Sequence, residues 1–242
     1  MHFACLLAFC LISASAWAVD LAESIPPRCT EVVLVVAPDW SSTTGTLQRF
    51  VRSRAGAPWQ AVGARVPALL GQHGLAWGVG LHSAVQNDAP QKSEGDLRSP
   101  AGVFALGPAF GRLPPQELPW VRLPFQQLSP TIEGIDDPAS RFYGQIVDRK
   151  SIAGPDWRSS EHMWRVPAYE LGAVIGHNPE HRPRAGSCIF LHVWLDGVTG
   201  TSGCTALHRS DLEELLRWLD PARHPVIIQL PATAVRESLG GF

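Results

Sequence analysis

The stretch Cys188–Leu207 reads CIFLHVWLDGVTGTSGCTAL, and its two ends ask for different backbones. From Cys188 to Trp194 the residues suit an extended chain, in which Cys188, Phe190 and His192 share one face while Ile189, Leu191 and Val193 share the other. Gly197, Gly200 and Gly203 then break the pattern and lead through a turn to Cys204. The segment therefore predicts a strand carrying an imidazole near its end, followed by a glycine-rich turn that ends on a thiol.

Working outward, the same extended signature recurs. Glu31–Ala37 (EVVLVVA) is a β-branched run, and 46–51 is a second strand candidate after the turn-rich Asp39-Trp40-Ser41-Ser42; together they predict a hairpin that opens a sheet. Gly and Pro recur from Gly56 to Gly80, which favours short strands and tight turns over long helices. Alternation returns at 173–175, and 226–230 is the last strand candidate. Between them, residues 108–165 carry Pro114-Pro115, Asp137-Pro138 and Gly154-Pro155 and few apolar repeats, the pattern of an inserted loop-rich lobe. One helix stands out: Ser210-x-x-Glu213 reads as a capping box, Leu212, Leu215, Leu216 and Leu219 fall on one face, and Pro221 ends the run. Residues 231–242 read as a tail with little pattern. The fold class expected is mainly β with a few short helices.

Composition narrows the function. With 242 residues, 45% hydrophobic and 17% charged, the chain has ample material for one large core and is not of disordered type. A formal net charge of −2 gives no electrostatic footprint for phosphates, so no nucleic-acid partner is expected. Residues 3–18 are apolar and rich in small residues, and Ala16-Trp17-Ala18 has the form of a secretory cleavage site, so 1–18 read as a signal peptide and the mature protein as exported, periplasmic or wall-associated. Lipid attachment at Cys10 is disfavoured by the bulky Phe9 before it. No run is long enough for a stable membrane span. Processing leaves Cys29, Cys188 and Cys204. An odd number in an oxidising compartment fits one bridge and one reactive thiol, and if Cys204 is kept for chemistry the bridge is Cys29–Cys188.

A thiol near its ordinary pKa is only partly ionised at neutral pH, so an imidazole that takes its proton makes the nucleophile; His192 and Cys204 have these roles here. The turn at Ser202-Gly203 supplies tight geometry and amides for an oxyanion. A backbone carbonyl suffices to orient His192.

The His192-to-Ser202-Gly203-Cys204 segment resembles the His-to-SxGC motif of the L,D-transpeptidase (YkuD-like) family. A second block, Lys92, Glu94-Gly95-Asp96 and Ser99-Pro100-Ala101-Gly102-Val103-Phe104, is similar to the K-x-E-G-D-x-x-[ST]-P-x-G-x-F stretch of one branch of that family. The resemblance implies a β-sandwich-like catalytic domain over about 19–230, and a cysteine thioester formed on the carbonyl of a peptidoglycan stem-peptide diamino acid and released to an acceptor amine. It also implies acylation by carbapenem-type inhibitors and no cofactor. Many members carry His between the motif's Ser and Gly and Arg or Asn after the Cys; here Ser202 adjoins Gly203, Thr205-Ala206 follow, and the twelve residues from His192 to Cys204 are fewer than usual. The departures bear on donor specificity and cross-link type.

Residues 92–104 read as scaffold for the site. Arg141 and Arg165 are candidates to pair with a stem-peptide carboxylate, and Trp157, Trp164 and Trp194 to line a peptide groove. Three other functions compete. Water in place of the acceptor amine makes the same site an L,D-carboxypeptidase or endopeptidase. A zinc hydrolase draws on His177, His181, Cys188 and His192, but Asn178-Pro179 breaks the helix that would align the first two. A wall-binding module without catalysis is the third.

Overall fold

The β-branched run at Glu31–Ala37 forms β1, and it pairs antiparallel with β2 (Thr44–Val51), which continues antiparallel into β3 (Gln60–Leu69), so the expected opening hairpin is present. The computed structural model describes residues 21–85 and 87–239; the expected signal peptide lies outside the described residues. Short β4 (Leu75–Trp77) precedes β5 (Ser99–Gly111), whose thirteen residues make it the longest strand. After β6 (Phe125–Gln127) come the small strands β7 (Ile132–Gly134), β8 (Ile146–Asp148) and β9 (Glu161–His162). The chain then forms β10 (Leu171–Ile175), β11 (Phe190–Val193), β12 (Thr205–Leu207), helix α1 (Arg209–Trp218), β13 (Val226–Pro231) and helix α2 (Ala232–Ser238).

The main sheet runs β10-β11-β12-β3-β2-β1-β13-β5, and β5 pairs back onto β10. It is a closed barrel. A sandwich was the expectation, and the length of β5 explains the difference. Its first part, Gly102 to Ala105, pairs with β13, and its second, Leu106 to Gly111, pairs with β10, so one strand occupies both edges and leaves neither exposed. The register slips between Ala173 and Ile175 where the strand changes partner.

Residues 108–111, assigned above to the lobe, thus belong to the barrel. The rest of the lobe has a three-stranded sheet, β8-β7-β9, built around the buried Glu133. That carboxylate accepts hydrogen bonds from Trp157 Nε1 and Ser160 Oγ, each at 2.8 Å, with Arg149 at 3.4 Å. A buried charge is tolerable only with such partners. A second apolar cluster, including Phe110, Met163, Tyr169, Phe190 and Cys204, joins the lobe to the barrel.

Helix α1 lays Leu212, Leu215 and Leu216 against the barrel, all buried with Leu191 and Leu207, and Leu219 caps its end. The expected capping box does not form. His208 is the N-cap and accepts from the Ser210 amide, which puts Ser210 inside the first turn. The expected patternless tail contains a helix, α2, and Val235 on it packs on the core.

Candidate active site

Strand pairing brings the two sequence-predicted groups together. Thr205 pairs with Leu191 and Ala206 with His192 across the parallel β11–β12 ladder. Side chains alternate along a strand, so Cys204, two residues before Ala206, shares the face that carries His192. Both line one cavity of about 520 Å³, and each is only 8% exposed.

Its Nδ1 lies 2.8 Å from the Val193 carbonyl, which can only accept, so Nδ1 carries the ring proton and Nε2 is left as the base. The carbonyl is thus the orienting third group. Burial holds the His192 pKa below the ordinary imidazole value, so the ring is neutral near pH 7. Its edge packs on Tyr169, with ring centroids 5.3 Å apart.

Cys204 is a resting thiol. Its sulfur accepts the Phe190 amide at 3.3 Å, and its hydrogen is directed at the Cys188 carbonyl at 3.6 Å. Burial first, and then the nearby charge of Glu161, push its pKa up to about 12. Such a thiol is a poor nucleophile until a base in the same cavity takes its proton.

The turn before it is fixed from several sides. Gly203 has φ +141°, a conformation that favours glycine, and a Cβ there would make a tight 3.1 Å contact with the Arg98 carbonyl oxygen. Its amide donates to Thr201 Oγ1 at 3.1 Å, which occupies the expected oxyanion donor in the resting site. Ser202 is exposed on the cavity rim. The Cys204 carbonyl accepts from Thr201 Oγ1 at 2.5 Å and from Ser99 Oγ at 2.8 Å.

That serine belongs to the second motif block, whose scaffold role is now concrete. Lys92 Nζ meets Asp96 Oδ1 at 2.5 Å, the other Asp96 oxygen accepts the Ser93 amide at 2.9 Å, and Oδ1 also accepts the Arg98 amide. The block is a closed turn that delivers Ser99 to the Cys204 backbone. Lys92, Glu94, Gly95 and Leu97 of the block line the cavity, and Glu94 Oε2 accepts there from Ser187 Oγ at 2.8 Å and from the Tyr143 hydroxyl.

Other candidates lie elsewhere. Arg141 is exposed, hydrogen-bonded to the Gly154 carbonyl at 3.2 Å and near Asp156 at 3.8 Å, and Arg165 is an exposed end of a 3-10 turn; neither lines the cavity. Trp194 lines it, whereas Trp157 serves Glu133 and Trp164 lies under Arg112. The Cys29–Cys188 bridge is not formed: Cys29 is buried beside β1 with its thiol on the Glu31 carbonyl, and Cys188, at φ +52°, sits at the cavity. His177 accepts the Val79 amide at Nδ1 and reaches the Ala185 carbonyl from Nε2 at 2.8 Å, so both nitrogens are committed to backbone. Among the described residues no three His, Cys, Asp or Glu side chains converge as a metal site.

The lobe supplies what the sequence reading missed. Glu161 on β9 and Asp136 line the cavity wall, and Tyr169, from the turn Pro167–Glu170, lines it beside His192. The Tyr169 hydroxyl donates to Glu161 Oε2 at 2.8 Å, and burial, with the charges of Asp136 and Glu94 behind it, pushes the Glu161 carboxyl up to about 7 against that hydrogen bond. No local pattern in the sequence marks these residues, because they meet the nucleophile only through tertiary packing. No family model, curated protein or solved structure matches the chain.

Proposed function

We propose that this protein is a cysteine acyltransferase of the exported cell-wall type, acting on peptidoglycan stem peptides as L,D-transpeptidases do. The observation that carries the reading is a neutral imidazole, oriented through Nδ1, on the same sheet face and in the same cavity as a thiol at the end of a rigid turn. His192 Nε2 takes the Cys204 proton as the sulfur attacks a carbonyl, and returns it to the leaving amine as the tetrahedral intermediate collapses to a thioester. An incoming amine then repeats the cycle in reverse and regenerates the thiol.

The cavity wall also favours an amine-bearing donor. Glu94, Asp136 and Glu161 face the space, while the one lysine there, Lys92, is tied to Asp96. A carboxylate-lined wall attracts an ammonium group such as that of a diamino acid side chain. Water as acceptor would make the same site an L,D-carboxypeptidase, and the chemistry up to the thioester is common to both. The test is covalent capture: incubated with a carbapenem, the purified protein gains the mass of one inhibitor, mapped to the Cys204 peptide, and Cys204→Ala gains none. An unmodified wild-type protein contradicts the reading and favours a non-catalytic wall-binding module.

A further inference from the structure

Tyr169 stands where three functional groups of the cavity meet. Its ring is 4% exposed and is held edge-on by Phe110, Phe190 and His192, with centroids 5.7, 5.3 and 5.3 Å away. This packing leaves the hydroxyl little freedom. The same hydroxyl donates to Glu161 Oε2 at 2.8 Å, and Tyr169 shares one buried cluster and one cavity with Cys204.

A phenol has one hydrogen to give, and in the resting site Glu161 takes it. Building on the reading of Cys204 as nucleophile, we propose that Tyr169 is a positioning residue for the Cys204 thiolate and that Glu161 decides where its hydroxyl points. With Glu161 ionised, the hydroxyl serves the carboxylate, and the negative charge beside the sulfur opposes loss of the thiol proton. With Glu161 neutral, the carboxylic acid donates to the phenol oxygen and the phenol O–H turns to the sulfur, where it stabilises the thiolate. Glu161 takes its proton from solvent, the phenol proton is only redirected from one hydrogen bond to another, and the proton that leaves sulfur still goes to His192.

The surroundings place this exchange in the neutral range. Burial, with Asp136 and Glu94 facing Glu161, holds its carboxyl at about 7; Tyr169, Cys188, Cys204, His192, Lys92 and Asp196 are the other titratable groups that line the cavity. Tyr169 itself is held well above the ordinary phenol range by burial and by the Cys204 and Glu161 charges, so it stays a donor. An ammonium-bearing substrate that approaches Glu161 would draw the carboxylate toward itself and release the phenol in the same way, which ties activation of the sulfur to occupancy of the cavity.

The test follows the rate of iodoacetamide alkylation at Cys204, read by peptide mass spectrometry from pH 6 to 10, in the full mature protein with no peptidoglycan present. Glu161→Gln removes the charge and keeps a donor to the phenol, so alkylation at pH 7 rises roughly tenfold, corresponding to about one pKa unit. Tyr169→Phe keeps the ring packing and removes the donor, so the alkylation profile moves to higher pH and the rate at pH 7 falls by about as much. In the double variant the gain from Glu161→Gln is reduced, because its route through the phenol is gone. Each profile is accompanied by a thermal unfolding curve, so a folding defect is seen separately. Superimposable profiles for wild type and Tyr169→Phe, or a full Glu161→Gln gain in the absence of Tyr169, would overturn the proposal. Because the probe reacts with any competent thiolate, a failure to process muropeptides leaves this outcome unchanged and bears only on the substrate.

Discussion

Replacing Ser99 by alanine should both loosen the fold and blunt the nucleophile. The Ser99 side chain is fully buried; its oxygen accepts the Gly71 amide at 2.9 Å and its hydrogen goes to the Cys204 carbonyl at 2.8 Å. Ser99→Ala strands the Gly71 amide, at about 1–3 kcal/mol, and removes one of two donors on the Cys204 carbonyl, at about 1 kcal/mol. The expected loss is about 2–4 kcal/mol. For a chain of this length each kcal/mol moves Tm by roughly 2–4 °C, so thermal unfolding should shift down by roughly 5–15 °C. An exposed control, Ser53→Ala, should change stability by less than about 0.5 kcal/mol. Alkylation of Cys204, measured well below the unfolding transition, should slow as well, since the carbonyl that fixes its backbone keeps only Thr201. A Tm within roughly 2 °C of wild type, with unchanged alkylation, would show that the hydroxyl does not bridge the motif block and the nucleophile.

His192→Gln keeps a polar side chain but removes the base, and should lower the rate of carbapenem acylation by about 100-fold or more in stopped-flow measurements; a change under threefold would remove His192 from the mechanism. Gly203→Ala forces a Cβ onto φ +141° and against the Arg98 carbonyl, and should cost about 1–3 kcal/mol in denaturant unfolding together with most acylation activity. The contribution of the buried histidines to stability should also fall with acidification. Burial lowers His177 to about 4 in the folded protein, against an ordinary value near 6.5, so the neutral form is the one the fold accepts. Its contribution is complete above about pH 6.5 and is lost as pH falls from there toward 4, by roughly 3 kcal/mol in all, and His82 and His192 act in the same direction. Glu161, held at about 7, is relieved over the same range and acts in the opposite direction, so the histidine contribution is read in a Glu161→Gln background, where urea midpoints that stay constant between pH 7 and pH 4.5 would contradict the burial of these rings.

The parts of this fold that are local were legible. β1 spans the residues that its β-branched run marks, and α1 buries the leucines that its periodicity selects. The meeting of His192 and Cys204 in one cavity was legible because a strand and a glycine turn sit next to each other in the chain. Barrel closure was not, since it depends on β5 pairing with β13 and β10, 60 or more residues away in sequence even for its nearer partner, and no single segment of β5 announces two partners. The bridge inferred from counting cysteines failed for a related reason: parity says how many thiols remain, whereas pairing needs Cα atoms brought together. Glu161 and Tyr169 were invisible because a single carboxylate in a turn-rich lobe and a single tyrosine before a strand carry no pattern; their importance comes from what the lobe is folded against.

The central claim is that Cys204 carries an acyl group from a stem peptide to an amine. The most direct measurement is incubation of the mature protein, and of Cys204→Ala, with purified tetrapeptide muropeptides, followed by mass spectrometry of the products. The account predicts cross-linked dimers with the wild type only, with fragmentation assigning the bond. Monomers that merely lose their terminal residue would keep the cysteine chemistry and make the protein a carboxypeptidase, and muropeptides left unchanged by a protein that alkylates normally at Cys204 would contradict the account.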